Sequence, residues 1–197
     1  MKHILLTSCL FLAFSVIAQE ERITKKTEGW YNLTQMSFII GEENASSAAK
    51  SNMIPSVVTI NGFRMSEHVS MGLGVGLTSY SYIVFPVFAD LRFTFLKENL
   101  SPVLALKGGY SIAKNSKEIF PGQYSGDYKN SGGGLFNPEF GFKVMMTERV
   151  DFLLTLGYYY QHLKTEINNS PGSSYGMRHD RITEINRLSF TIGFLFK

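Results

Sequence analysis

Val69-Ser70-Met71-Gly72-Leu73-Gly74-Val75-Gly76-Leu77-Thr78-Ser79 alternates without a break. Val69, Met71, Leu73, Val75 and Leu77 share one face, and Ser70, Gly72, Gly74, Gly76 and Thr78 share the other. Successive side chains of a strand point to opposite sides, so a repeat of two predicts a β-strand. One side of it is wholly apolar and the other is small and polar. The C-terminus repeats the pattern with Leu188, Phe190, Ile192, Phe194 and Phe196 against Ser189, Thr191, Gly193 and Leu195.

Working outward, the alternation predicts eight strands, over about 29–41, 55–66, 69–79, 84–96, 102–113, 134–146, 150–164 and 185–197. Phe85, Val87, Ala89, Leu91, Phe93 and Phe95 oppose Phe88, Asp90, Arg92 and Thr94. Leu104, Leu106, Tyr110 and Ile112 oppose Ala105, Lys107, Gly109 and Ser111. Phe136, Phe140, Phe142 and Val144 oppose Asn137, Glu139, Gly141 and Lys143, while Phe152, Leu154, Leu156, Tyr158 and Tyr160 oppose Asp151, Thr155, Gly157, Tyr159 and Gln161. The first two strands do not sort in this way. Pro138 interrupts the sixth, where it removes a ladder hydrogen bond and marks a bulge or a stretch above the membrane. The connectors Glu67-His68, 97–101 and 147–149 are tight, whereas 42–54, 114–133 and 165–184 are long, and only Tyr80 to Ile83 breaks the pattern by being short. Short periplasmic turns and longer outer loops characterise outer-membrane barrels. The expected fold is therefore all-β: an eight-stranded antiparallel up-and-down transmembrane β-barrel. Its apolar face meets lipid, because a charge at bilayer depth costs about 2–4 kcal/mol, and its polar face lines the lumen. Closure is required because an open edge in hydrocarbon leaves backbone groups unpaired.

Composition agrees. The 197 residues include 18% charged and 14% aromatic residues, a charge content below that of a typical soluble domain. A net charge of +3 is too small to argue for nucleic acid. Met1-Lys2-His3, the apolar run Ile4 to Ala18 and the small-residue site Val16-Ile17-Ala18 read as a secretory signal peptide over 1–18, with the barrel domain over 19–197. Cys9, the one cysteine, falls in that signal. No later window holds 18 uninterrupted apolar residues, so no spanning helix is expected.

The segments Thr59-Ile60-Asn61-Gly62-Phe63-Arg64, Gly72-Leu73-Gly74-Val75-Gly76-Leu77, Phe88-Ala89-Asp90-Leu91-Arg92-Phe93 and Gly193-Phe194-Leu195-Phe196-Lys197, with the signal peptide, resemble the outer membrane protein beta-barrel domain family, small OmpA/OmpX-like barrels of Gram-negative bacteria. The resemblance implies an eight-stranded barrel in the cell outer membrane and no single activity. Members usually end in an aromatic residue; here Lys197 follows Phe196, so the assembly signal is displaced by one position.

Chemistry-bearing motifs are few. Gly72-x-Gly74-x-Gly76 lacks the third glycine of a dinucleotide fingerprint, because position 77 is Leu77, and reads as small residues on a crowded lumen face. His68, His162 and His179 have no ligand spacing, so neither a metal nor another cofactor is expected. Trp30-Tyr31 and Tyr158-Tyr159-Tyr160 read as interfacial aromatics. Asp90, Arg92, Lys107, Glu139, Lys143, Asp151 and Arg187 all have inward parity. Inside a barrel of eight strands, which side chains just fill, they are expected to pair across neighbouring strands and block the bore. By the same parity, Ser189→Asp should be tolerated better than Phe194→Asp.

The expected function is non-enzymatic, structural or loop-mediated. The expected partners are outer-membrane lipid, the barrel-assembly machinery through the last strand, and a surface partner through loops 114–133 and 165–184. Two alternatives are an outer-leaflet lipid-modifying enzyme around His162, a serine and Glu166, and a soluble secreted ligand-binding barrel, which would turn its apolar residues inward.

Overall fold

The computed structural model describes residues 29–41, 52–80, 83–96, 98–113, 127–168 and 179–197. The expected signal peptide and Cys9 lie outside them. Among the described residues there is no helix. The strands are β1 (Gly29–Ile40), β2 (Met53–Arg64), β3 (Val69–Ser79), β4 (Ile83–Thr94), β5 (Leu100–Ala113), β6 (Asp127–Ser131), β7 (Gly133–Met145), β8 (Val150–Asn168) and β9 (His179–Phe196). Each of the long strands pairs antiparallel with its neighbour, and β1 returns to β9 with Asn32 opposite Phe196 and Ile40 opposite Leu188. Eight strands thus close into a barrel, and short β6 pairs only with the upper end of β8.

The outer ends depart from expectation. Segment 114–133 contains β6, and 165–184 contributes the extended arms of the β8–β9 hairpin, paired as far as Ile167 opposite His179. Above the bilayer both faces of a strand are wet, so no apolar alternation marks it. The ladder is interrupted where Pro138 faces β8 and where Pro86 faces β3, yet the register is the same on either side of each gap. Pro138 therefore makes no bulge, and it sits mid-strand opposite Leu106.

The tight turns at the other end are built from a repeated segment. Met65-Ser66-Glu67-His68-Val69 and Met146-Thr147-Glu148-Arg149-Val150 fold alike. In the first, Ser66 Oγ accepts from the backbone N–H groups of His68 (3.3 Å) and Val69 (3.1 Å). In the second, Thr147 Oγ1 accepts from Arg149 (3.3 Å) and Val150 (3.1 Å). A short hydroxyl side chain satisfies turn donors that the ladder leaves open.

On β3, β4, β5, β7, β8 and β9 the apolar parity faces outward. Leu73, Leu188 and Leu156 are 70%, 67% and 65% exposed, within a belt of Val, Leu, Met and Phe. A continuous apolar surface of this kind, on a closed sheet, belongs in hydrocarbon. The first two strands also resolve. Leu33, Ile39, Ile54, Val58 and Ile60 point into the barrel, while Asn32, Thr34, Thr59 and Asn61 point out. This inversion of the usual polarity is why the sequence did not sort them.

Candidate functional site

All seven inward-parity charges are buried in the lumen: Asp90, Arg92, Lys107, Glu139, Lys143, Asp151 and Arg187. Their contacts lie at several levels of the bore.

The middle group centres on Glu139, placed on β7 opposite Ala105 of β5 and Gly157 of β8. Its Oε1 accepts from Lys107 Nζ (2.5 Å), Asn137 Nδ2 (2.9 Å) and Thr191 Oγ1 (3.2 Å), and its Oε2 accepts from Thr155 Oγ1 (3.0 Å). Ser189 Oγ donates to Asn137 Oδ1 at 3.2 Å, and the hydroxyls of Ser37 and Thr191 lie 2.8 Å apart. Strands β1, β5, β7, β8 and β9 are thereby tied across the bore. A buried carboxylate is costly unless its lone pairs are met, and here donors reach both oxygens.

Beside it, Arg92 grips Asp90 through Nε to Oδ2 (3.2 Å) and Nη2 to Oδ1 (3.1 Å). This pair lies along one strand, not across two as parity suggested, because residues two apart share a face and the Arg92 side chain is long enough to fold back. Nη1 of Arg92 has no hydrogen-bond partner among the described residues.

At the lower end Asp151 Oδ1 accepts from Lys197 Nζ at 2.7 Å. Lys197 was missed as a lumen charge, although its parity with Leu195 and Gly193 is inward. The same parity explains the displaced ending: Phe196 faces lipid, and the following lysine turns in. Lys143 is buried on β7 below Glu139, and Arg187 lies higher, its stem against Gly41.

Towards the outer end Tyr80, Tyr159 and Gln161 meet across the lumen. Tyr159 donates to Gln161 Oε1 at 2.7 Å; the Tyr80 hydroxyl donates to the same oxygen and lies 3.2 Å from that of Tyr159. Tyr159 thus belongs to the lumen, while Tyr158 faces out and donates to Asn186 Oδ1 at 2.8 Å. Between this contact and Glu139 is a cavity of about 20 Å³, lined in part by Ser37, Ser56, Thr78, Lys107 and Asn137. That is room for about one water. The bore is also narrowed by Phe88, whose ring lies over Gly74, where a Cβ would fall 2.4 Å from Cζ.

His162 faces outward with its Nδ1 3.9 Å from Glu184 Oε1, and both side chains are exposed. The Glu166 side chain lies outside the described residues. Among the described residues no cluster of His, Cys, Asp and Glu has the makings of a metal site.

No protein-family model matches the chain, and no curated protein matches it. Solved structures do. The outer membrane protein OprG from Pseudomonas aeruginosa superposes with a TM-score of 0.62 at 11% identity, covering 87% of this chain and 97% of that one. Neisserial surface protein A gives 0.58 at 13% identity, covering 88% and 99%. The N-terminal β-barrel domain of Pseudomonas aeruginosa OprF gives 0.52 at 13%, covering 87% and 100%. This chain has the fold of the small eight-stranded β-barrels of the bacterial outer membrane.

Proposed function

We propose that the chain is an integral outer-membrane protein that acts without enzymatic chemistry, as a closed scaffold that holds its outer-end segments at the cell surface for a partner. The observation that carries this reading is the filled bore. The Glu139 cluster, the Asp90–Arg92 pair and the Tyr80–Tyr159–Gln161 contact occupy the lumen at successive levels, and the pocket beside Lys107, Asn137 and Tyr159 has room for about one water. The soluble ligand-binding alternative requires the opposite facing, and the outward belt argues against it. The assembly machinery would read the last strand, with Phe196 as its terminal lipid-facing aromatic.

Planar-bilayer recording tests the scaffold. Purified protein is expected to give at most small, rare conductance events, and steady large-conductance channels would overturn the filled-bore reading. A pull-down of surface partners with and without residues 114–133 tests presentation. Loss of the captured partner on deletion is expected, and unchanged capture would remove that segment from the reading.

A further inference from the structure

The four strands that run down to the lower end finish alike. β2 carries Gly62-Phe63-Arg64-Met65, β4 carries Arg92-Phe93-Thr94-Phe95, β7 carries Gly141-Phe142-Lys143-Val144 and β9 carries Gly193-Phe194-Leu195-Phe196. In each, the phenylalanine and the fourth residue have outward parity, and the first and third have inward parity. Packing explains the glycines of β2 and β7, since a Cβ on Gly62 would run into Met71 O and one on Gly141 into Leu154 O. It does not explain the phenylalanines, because hydrocarbon accepts any large apolar side chain there.

Depth does not explain them either. Each of the four phenylalanines is paired on both sides with residues of strands that run the other way, at about the same depth. Those eight opposite residues include one phenylalanine, Phe152, and one tryptophan, Trp30. A bilayer interface sorts side chains by depth and is blind to the direction of the chain. A sheet edge reads direction, because parallel and antiparallel strands meet it with different hydrogen-bond patterns and alternate side chains then enter its pockets.

We propose that the lower ends of β2, β4 and β7 are further docking signals for the barrel-assembly machinery, each read in extended form against an open sheet edge before the barrel closes. The proposal rests on the reading of the last strand given above. The unfolded chain then offers four entries, spaced one hairpin apart. A strand with a bare edge invites wrong pairing until it is covered, and docking covers each downward strand while the next hairpin forms.

The test adds the urea-unfolded full chain to phosphatidylcholine vesicles with and without the purified machinery, and reads folded protein by unheated gel mobility. The compared quantity is the acceleration that the machinery gives, so slower unaided folding of a variant cancels. Phe93→Ala and Phe142→Ala are each expected to lower the acceleration roughly 3- to 10-fold. Phe152→Ala loses the same lipid contact on an upward strand and should leave it unchanged. Independently of folding, a photoreactive phenylalanine analogue at position 93 or 142 should crosslink to the machinery, and one at position 152 should not. The proposal is overturned if neither Phe93→Ala nor Phe142→Ala changes the acceleration, or if position 152 behaves like them in either measurement. Phe194→Ala separates the two readings. If it alone lowers the acceleration, only the last strand is read and the internal signals fall; if it too has no effect, both readings fall.

Discussion

At the scale of single residues, Glu139 and Lys107 are each tolerable only because the other is present. Removing one partner of a buried pair leaves an uncompensated charge, typically at a cost of about 3–5 kcal/mol. Lys107→Met is expected to destabilise the barrel by about that amount, and Lys107→Met/Glu139→Gln should recover at least half of it. Urea unfolding in lipid vesicles, followed through the single tryptophan, Trp30, measures both; equal losses in the single and double variants would show that the pair is not coupled. Parity made Lys107 and Glu139 legible as facing the lumen, since neighbouring residues alternate by rule. Parity could not reveal that Arg92 folds back onto Asp90, or that Thr155, Thr191 and Asn137 supply donors. The Thr155 and Thr191 contacts depend on register between strands, with partners 16 and 52 residues apart in sequence, while the Asp90–Arg92 and Asn137–Glu139 contacts depend on how side chains two residues apart fold towards each other. Ser189 is a case in point. It looked permissive, but its hydroxyl holds Asn137 and an added carboxylate would stand beside Glu139, so Ser189→Asp should lose folded yield as severely as Phe194→Asp.

The strands themselves were legible wherever the two faces meet different solvents. The belt of β3, β4, β5, β7, β8 and β9 met lipid on one side and the packed lumen on the other, and its alternation was plain. On β1 and β2 the contrast is inverted near the lower end, and above the bilayer it vanishes; the unsorted strands and the missed β6 follow from this. At this scale Leu156→Arg, on the middle of β8, is expected to lower unfolding free energy by about 2–4 kcal/mol. Glu148→Arg, in the turn beyond the belt, should change it by less than about 0.5 kcal/mol. Equivalent effects of the two in the same urea titration would mean that the belt does not face lipid. The glycines of β3 make a second prediction. Gly74→Val should reduce the yield of folded barrel, and Phe88→Leu in the same chain should restore part of it by withdrawing the ring from that site. Refolding yields read by unheated gel mobility decide, and no rescue would show that Phe88 is not what Gly74 accommodates.

For the molecule as a whole, fold and location were written in alternation and turn lengths, whereas the partner was not, because surface recognition leaves no periodic trace. The protein is expected in the outer-membrane fraction, with a changed mobility when unheated in detergent; recovery in the soluble fraction without detergent would contradict this. The spoke-like ties to Glu139 have a further consequence for the assembly of fragments. A cut between β5 and β7 would leave Lys107 on one piece and Glu139 on the other. Neither piece could curl up with a copy of itself without stranding like charges at the hub, whereas the two together would restore it. The lumen of this barrel therefore acts as a matching key, which should let two co-expressed halves find each other and reject self-pairing.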